Sequence, residues 1–442
     1  MSGEQLKAPR GTFDVLGEDA AARTALEAKA RSILGGAGYE RIETPTFEAT
    51  ELFARGVGAS TDIVQKEMYT LTDGSGRSLT LRPEGTAPVC RAYVEHGMHK
   101  LPQPVKLWYL SSFFRYERAQ KGRFRQFWQV GAEALGSEDP ALDAESILLL
   151  GVLLEELGVR EVRLRLSSLG GPDSRARYRE RLQAHLRANE ARLATEVRER
   201  IDLNPLRAFD SADEGTVAVM RSAPRLLDEL DAQDAEHFAE VRALLDAAGA
   251  RYEIDPTLVR GLDYYTRTVF EFTSDALGAQ SGVGGGGRYD GLVQELGGPS
   301  TPGMGWAAGI ERMLLAGGAP AATAPGIDLY VGLDGGESDR GVEEDDRDGQ
   351  PAGAPASWGS AASRAAFAIL SEARAAGLRA CMEMGGRSMK GQLRQADRLG
   401  ARYTAIVGGP ETVLKDMQGG DQETIETGAV VHAVLRGLHE LA

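Results

Sequence analysis

The stretch that decides the fold is residues 113–136, FFRYERAQKGRFRQFWQVGAEALG. Its second half, residues 127–135, alternates between two sets of side chains with the two-residue period of a β-strand. The sequence AQKG at 119–122 separates this half from an aromatic-rich first half. We therefore predict an antiparallel hairpin whose second strand presents Gln129 and Glu133 on the same face.

The same stretch concentrates positive charge on an acidic protein. The chain has 50 Lys and Arg against 65 Asp and Glu, a formal net charge of −15. Within the hairpin, Glu117 is the one acid among the following cations: Arg115, Arg118, Lys121, Arg123 and Arg125. Such a cluster indicates a polyanion site, although solvated arginines on an exposed hairpin are the ordinary alternative. Gln129 and Glu133 in an otherwise apolar strand favour a binding site, because buried polar groups need partners.

Length and composition limit the possible number of domains and the class of protein. A chain of 442 residues with 42% hydrophobic residues predicts two or three domains with real cores. Cys90 and Cys381 lie far apart without CxxC or Cys/His spacing, so we assign no disulfide framework and no metal ligands. Residues 1–17 lack an apolar signal core, and no apolar run of about 18 residues occurs. We expect a cytoplasmic protein without a membrane span.

Patterning along the chain predicts three regions. Residues 1–167 and 251–318 mix strands and helices, and they are interrupted by a helical insertion at 168–250 that is rich in Arg, Glu and Ala. Residues 319–326 form a Pro/Ala/Gly linker. Residues 327–442 then alternate strands with helices, which predicts a parallel sheet. An acidic segment within them, 335–359, is expected to be a disordered surface loop.

Two turns carry further polar residues. The segment LTLRPEGT at 79–86 predicts a strand that ends near Glu84 and a helix capped by Thr86. The segment RGLDYY at 260–265 crowds an arginine and two tyrosines beside a predicted strand.

Glycines and a third arginine follow. Residues 282–287, GVGGGG, fit the pattern GxGxxG, but the expected βαβ unit and downstream acid are missing. We expect these glycines to allow close backbone approach to a ligand, with Arg288 and Tyr289 opening a helix. Arg312 follows a small-residue strand at the start of a helix. For Arg312, an ion pair with Glu311 or a neighbouring residue is the ordinary alternative to a ligand contact.

No P-loop sequence GK[ST] occurs, so a phosphate site must be built in another way. Five segments in order resemble the histidyl-tRNA synthetase family of class II aminoacyl-tRNA synthetases. They are LTLRPEGTAPVCRAY, FFRYERAQKGRFRQFWQVGAEALG, LVRGLDYYTRTVFE, GGGRYDGLVQELGG and GMGWAAGIERMLL. The resemblance runs from Pro9 to about Leu315, and it continues more weakly through residues 385–409.

The resemblance implies an α+β fold, in which a six-stranded antiparallel sheet flanked by helices holds ATP and L-histidine. It assigns 1–167 and 251–318 to the catalytic domain and 327–442 to an α/β anticodon-binding domain. It further implies a homodimer, magnesium associated with ATP, and tRNA(His) as partner. The implied activity is histidine–tRNA ligation through histidyl-adenylate.

The resemblance also implies roles for individual residues. The histidine-binding set would be Glu84, Gly85, Thr86, Arg115, Gln129, Glu133, Arg260, Tyr264, Tyr265 and Tyr289. Within that set, Glu133 and Tyr264 would contact the imidazole, whereas Glu84, Thr86 and Gln129 would receive the α-ammonium group.

For the nucleotide, the implied ligands are Arg115, Arg123 and Arg312, because the arginine fork suits phosphate oxygens. Arg260 and Arg115 would be catalytic, stabilising charge at the α-phosphate. Contacts to the tRNA acceptor end would come from Arg118, Gln120 and Lys121.

One position departs from the family pattern. The family usually has QFHQ where this chain has QFWQ at 126–129, and strand alternation points Trp128 away from the ligand face.

Three other functions remain as alternatives. They are a synthetase-like regulatory subunit of ATP phosphoribosyltransferase, another adenylate-forming class II synthetase or ligase, and a dinucleotide-dependent oxidoreductase. The paralogous regulatory subunits tend to lose the arginine–tyrosine segment and the C-terminal domain, and both are present here.

Overall fold

A computed structural model describes residues 6–58, 61–118, 122–258, 262–278, 281–317, 326–334 and 360–439. Packing divides the chain into two compact units, Met1–Ala322 and Thr323–Ala442. The predicted loop at 335–359 and most of the predicted linker lie outside the described residues.

The first unit is built on a large sheet with a small second sheet beside it. Its strands are β1 (Glu40–Arg41), β2 (Phe47–Ala49), β3 (Tyr69–Thr72), β4 (Ser78–Leu81), β5 (Val105–Phe114), β6 (Gln126–Leu135), β7 (Val162–Ser168), β8 (Glu253–Ile254), β9 (Thr266–Ser274), β10 (Gly282–Arg288) and β11 (Gly303–Gly309). Its helices are α1 (Gly17–Gly36), α2 (Thr50–Gly56), α3 (Thr86–Glu95), α4 (Pro140–Glu156), α5 (Pro172–Ala188), α6 (Thr195–Arg198), α7 (Glu214–Met220), α8 (Ala232–Ala247), α9 (Leu292–Glu295) and α10 (Ile310–Gly317).

The large sheet has the strand order β1-β5-β6-β11-β10-β9-β7-β8. Its six central strands pair antiparallel, and the two short edge strands pair parallel. The predicted hairpin is confirmed as β5 and β6, which pair along their full lengths from Val105↔Leu135 to Phe114↔Gln126. The predicted α+β class, an antiparallel sheet flanked by helices, is therefore confirmed.

The two faces of the large sheet differ in what covers them. On one face, helices α1, α4, α8 and α10 build an apolar core that includes Leu26, Ile147, Val241 and Met313, together with Trp306 of the sheet. Helix α4 begins at Pro140, with the Asp139 side chain accepting a hydrogen bond from the Ala141 amide at 2.9 Å.

The second core mixes aliphatic side chains with buried tyrosines. It contains Tyr93 of α3, Tyr109 of β5 and Tyr289, which follows β10, together with Tyr178 and Leu182 of α5. Tyrosine hydroxyls need partners when buried, so this core is the one equipped for polar chemistry.

The second unit is a smaller α/β structure. Its elements are β12 (Leu329–Leu333), α11 (Ala361–Ala375), β13 (Ala380–Met382), α12 (Met389–Arg398), β14 (Tyr403–Val407), β15 (Glu411–Asp416), β16 (Gln422–Glu426) and α13 (Val430–His439). The predicted parallel strands are β13, β12 and β14, and β15 and β16 extend this sheet antiparallel.

The glycine run is a strand, which corrects the prediction that Arg288 and Tyr289 open a helix. Residues 282–287 belong to β10, between β9 and β11 in the middle of the sheet, and Arg288 is its last residue. The following helix covers only Leu292–Glu295. A Cβ on Gly286 would lie 1.9 Å from the Gly305 carbonyl oxygen, so the neighbouring strand leaves no room for a side chain there.

We predict that Gly286→Ala destabilises the first unit by about 1–3 kcal/mol, because an added methyl group must push β10 and β11 apart. Urea denaturation followed by circular dichroism measures this loss. Gly291→Ala is the matched control, since a Cβ at Gly291 meets nothing within 4 Å. Equal midpoints for the two variants would contradict the close packing at Gly286.

Candidate active site

Glu84 caps the helix that follows its strand. Its carboxylate accepts hydrogen bonds from the amides of Thr86 at 2.7 Å and Ala87 at 2.9 Å. Thr86 is the first residue of α3, as predicted, but the prediction that its own side chain caps the helix is wrong. The Thr86 hydroxyl points instead to Glu133. Burial raises the pKa of the Glu84 carboxyl, and the nearby charge of Arg115 partly offsets this effect.

Glu133 lies at the centre of the buried polar cluster and has 0% exposure. Its carboxylate accepts hydrogen bonds from Tyr289 at 2.6 Å, Thr86 at 2.8 Å and Tyr109 at 3.3 Å. Burial raises the pKa of Glu133 to about 8, although these hydroxyl donors favour its ionised form.

Glycine makes space for this carboxylate. Gly305 faces Glu133 across the β6–β11 pair, and a Cβ on Gly305 would lie 1.8 Å from Glu133 Oε2. On the other side, Gly131 pairs with Tyr109, and a Cβ on Gly131 would lie 2.3 Å from the Tyr109 ring. Neighbouring strands therefore shape the cluster.

Three tyrosines enclose the two acids. The ring of Tyr264 lies 4.8 Å from that of Tyr265 and 5.8 Å from that of Tyr289, measured between centroids. The Tyr264 hydroxyl reaches Glu84 Oε2 at 3.5 Å. Burial raises the pKa of Tyr264 and Tyr289 well above the usual tyrosine range, so both hydroxyls remain hydrogen-bond donors.

Arg115 lies at the edge of this cluster. Its Nε donates to the Pro83 carbonyl at 2.9 Å, and its guanidinium lies 5.3 Å from the centroid of the Phe127 ring. These contacts hold the side chain beside the turn that contains Glu84. The structure therefore brings the predicted arginine and the predicted acid together.

Arg123 and Arg312 form a second pair of neighbours. Burial lowers the pKa of Arg312, and the positive charge of Arg123 lowers it further. Arg312 donates from Nε to the Gly282 carbonyl, whereas Arg123 lies 3.4 Å from Glu117. The Glu311 carboxylate bonds to Arg23 at 2.6 Å and does not pair with Arg312.

The other predicted residues are placed as follows. Gln129 is half-buried and in register with Ser111 and Gly309 on the neighbouring strands. A Cβ on Gly85 would lie 2.4 Å from the Tyr109 ring, so Gly85 allows close packing at the turn. Arg118 is exposed.

Several predicted residues lie outside the described part of the chain: Gln120, Lys121 and Arg260.

Trp128 occupies the opposite face of the sheet from Glu133, as strand alternation predicts. It packs against the helical core, and the Arg23 guanidinium lies 4.6 Å from its ring centroid. The Trp128 amide donates to Glu311 Oε2 at 3.2 Å. The departure from the family pattern therefore affects packing behind the sheet.

Tyr109 is a site residue that sequence reasoning missed. It lies in the first arm of the hairpin, where the aromatic run VKLWYLSSFF obscures a single polar hydroxyl. Its position opposite Gly131 was the available signal, since a glycine facing an aromatic residue leaves room for the ring.

In the described residues, no three His, Cys, Asp or Glu side chains are grouped so that they could hold a metal ion. No helix among these residues is long and apolar enough to cross a membrane.

The antiparallel sheet flanked by helices is the fold that the resemblance implies for a class II aminoacyl-tRNA synthetase. The family model "Histidyl-tRNA synthetase" matches residues 11–313, and "Anticodon binding domain" matches residues 352–436. The chain belongs to the histidyl-tRNA synthetase family, as the resemblance predicts.

Individual relatives agree with this assignment. The chain is 44% identical to "Histidine--tRNA ligase" of Desulforamulus reducens, covering 94% of this chain and 96% of that relative. It is 46% identical to the protein of that name from Halorhodospira halophila, covering 95% of each. The crystal structure of apo S. aureus histidyl-tRNA synthetase superposes with a TM-score of 0.77 at 35% identity, covering 97% of this chain and 100% of that chain.

Glu133 predicts a pH dependence of stability. Its pKa rises from 4.5 to about 8 on folding, so its neutral form stabilises the folded state below about pH 4.5. This contribution is lost as the pH rises through about 8. We expect the melting temperature to fall less over this range in Glu133→Gln than in the wild type, as measured by calorimetry. The exposed Glu240→Gln is the control, and parallel curves for Glu133→Gln and the wild type would contradict the prediction.

Proposed function

We propose that this site carries out the two steps of histidine–tRNA ligation. In the first step, a carboxylate oxygen of L-histidine attacks the α-phosphorus of ATP, and pyrophosphate leaves. In the second step, the 3′-hydroxyl of the terminal adenosine of tRNA(His) attacks the carbonyl carbon of histidyl-adenylate, and AMP leaves. One observation carries this proposal. The buried Glu133 carboxylate accepts hydrogen bonds from two tyrosine hydroxyls, and Arg115 lies at the edge of the same polar cluster.

The buried acids suit an amino acid that carries an imidazole. Glu133 would accept a hydrogen bond from a ring N–H, and Tyr264 would contact the other ring nitrogen. Both Glu133 oxygens already accept from hydroxyls, so the imidazole shares or replaces one of these donors. Glu84 would receive the α-ammonium together with Thr86 and Gln129, since a cation nearby favours the charged form of the carboxylate.

Selectivity follows from the same burial. A site built to hydrogen-bond one substrate leaves its buried polar groups without partners when an analogue lacking those groups binds. Such a site rejects the analogue by about 10⁴-fold. Tyr265 and Tyr289 would complete the walls around the ring, with Gly85 in the turn beside them.

The arginines suit a nucleotide. Arg115 would bind the α-phosphate and the histidine carboxylate, and Arg123 with Arg312 would bind the outer phosphates. Burial is the main cause of the lowered pKa of Arg312, and the positive charge of Arg123 lowers it further. A polyphosphate bound between these two guanidinium groups would relieve their repulsion. Magnesium would enter with the ATP substrate and would offset the charge of its phosphates. Arg260 would stabilise the charge that develops at the α-phosphate.

Contacts with tRNA would come from two regions. Arg118, Gln120 and Lys121 at the hairpin tip would touch the acceptor end. Residues 327–442 would bind the anticodon, in line with the domain match over 352–436. The catalytic domain would comprise 1–167 and 251–318, with the helical insertion at 168–250 and a linker at 319–326. We further propose a homodimer, as the family resemblance implies.

The regulatory-subunit alternative is not favoured. The curated relatives at 44% and 46% identity are both named histidine–tRNA ligases. The oxidoreductase alternative fails because the glycine run is a central strand of an antiparallel sheet.

ATP–pyrophosphate exchange with a panel of amino acids tests the function. We expect exchange with histidine and background rates with the other amino acids, because Glu133 and the tyrosines form a buried polar cluster suited to an imidazole. Charging of tRNA(His) with labelled histidine is the companion measurement. Absence of histidine-dependent exchange, or faster exchange with another amino acid, would overturn the proposal.

Arg260→Ala tests the proposed charge stabilisation. We expect the exchange rate to fall by about 10²-fold or more, since removing a donor to developing charge typically costs that much. Histidine binding, measured by calorimetry, should persist. A variant that exchanges at nearly the wild-type rate would remove Arg260 from the catalytic set.

A further inference from the structure

Strand β9, which follows Tyr264 and Tyr265, begins at an irregular point. In the pairing of β9 with β10, Val269 is opposite Gly287, but Thr266 is opposite Arg288, so β9 has extra residues at 267–268. Arg267 has a φ of 43°, in the left-handed region that side chains other than glycine rarely adopt. A bulge of this kind bends a strand and redirects the residues beside it. Here those residues are Tyr264 and Tyr265.

The helical insertion holds this bulge at its backbone. The Arg267 amide donates to the Gly170 carbonyl at 2.9 Å, and the Leu169 amide donates to the Arg267 carbonyl at 2.7 Å. Residues in such conformations persist only where their surroundings over-determine them. Both partners lie in the segment that leads from β7 into helix α5.

A buried carboxylate of the insertion holds the Arg267 side chain as well. Asp234, in the first turn of α8, is 2% exposed and accepts from Arg267 Nε at 3.1 Å. The same carboxylate accepts from the Gly171 amide at 2.6 Å and from the Ser174 hydroxyl at 3.0 Å. It therefore ties the two ends of the insertion to the bulge with charge-assisted bonds.

A second insertion residue binds the tyrosine turn directly. Arg175, on helix α5, donates from Nη1 to the Tyr265 carbonyl at 2.6 Å and to the Asp263 carbonyl at 3.3 Å. Burial lowers the pKa of the Arg175 guanidinium. The planar fork of arginine can hold two carbonyl groups at once, which a lysine cannot do with the same geometry.

We propose that Arg175 and Asp234 of the helical insertion are positioning residues for histidine binding. They hold the backbone of residues 263–267 and thereby set where Tyr264 and Tyr265 lie beside Glu84 and Glu133. The insertion is thus part of the amino-acid site, although its side chains do not touch the substrate. This inference rests on the proposed histidine-binding role of the two tyrosines.

The test is ATP–pyrophosphate exchange with full-length Arg175→Met and Asp234→Asn. We expect the KM for histidine to rise by about tenfold in each, because small displacements of positioning groups have large effects. The KM for ATP should change by less than about threefold, since the arginines proposed for ATP lie on other elements. Arg175→Lys should give an intermediate KM for histidine, and it carries the test if thermal melts show that either other variant does not fold.

Arg179→Met is the matched control. Arg179 lies one turn further along α5 and also donates to two carbonyls, but these belong to Asp202 and Leu203 within the insertion. The Arg179→Met substitution therefore removes an arginine and its hydrogen bonds to carbonyl groups from the same helix, but it removes no contact with residues 263–267. We expect wild-type values of both constants.

A second substitution, added to Asp234→Asn, distinguishes a loss of positioning from a general loss of stability. Glycine adopts positive φ without strain, so Arg267→Gly should keep the bulge when Asp234 no longer holds it. We expect Arg267→Gly in the Asp234→Asn background to bring the KM for histidine back to within about threefold of the wild type.

The outcomes distinguish the two proposals. Wild-type enzyme without histidine-dependent exchange would overturn the proposed function. Normal wild-type exchange, combined with an unchanged KM for histidine in Arg175→Met and Asp234→Asn, would overturn the positioning role alone. Equal increases in the KM for histidine and for ATP, or no recovery in the double variant, would also reject it.

Discussion

The burial of one carboxylate, that of Glu133, constrains the rest of the site. Removing a carboxylate from water is costly unless donors surround it. Here the donors come from α3, from β5 and from the segment after β10. None of these elements is adjacent to β6 in sequence except β5. The cluster is therefore complete only when the antiparallel sheet is assembled, and the same packing that satisfies Glu133 also places the tyrosines.

The sheet separates two kinds of environment. Alternation along β6 directs Trp128 into the helical core and leaves Gln129 and Glu133 on the other face. The apolar face, packed by four helices, provides the rigid support that a polar site needs. Glycines at 131 and 305 act on the polar face, where they admit the Tyr109 ring and the Glu133 carboxylate. One face of these strands therefore carries the candidate site, and the opposite face packs against the helical core.

The helical insertion is joined to the sheet by polar contacts as well as by apolar packing. Asp234 accepts a hydrogen bond from Arg267, the residue with left-handed backbone near the start of β9. Arg175 donates to the Tyr265 carbonyl in the turn just before this strand. On the other face, His237 of α8 lies 2.9 Å from the buried Asp143 of α4, and Asp143 also pairs with Arg288 at 2.7 Å. Arg288 immediately precedes Tyr289. Two sets of polar contacts therefore connect the helical insertion with the tyrosines that surround Glu133.

The sequence by itself determined the hairpin, the helices between β7 and β8, the alternating strands and helices of the second unit, and the family. Each of these depends on local periodicity or on motifs in order, which a chain displays before it folds. Glu84, Glu133, Arg115 and the tyrosines could also be named from motifs. Only the tertiary structure decided that residues 282–287 form a central strand, that Glu84 caps α3, that Tyr109 donates to Glu133 and that Asp234 holds Arg267. These features depend on which strand or helix lies beside which, and the contacts that create them join residues far apart in the chain.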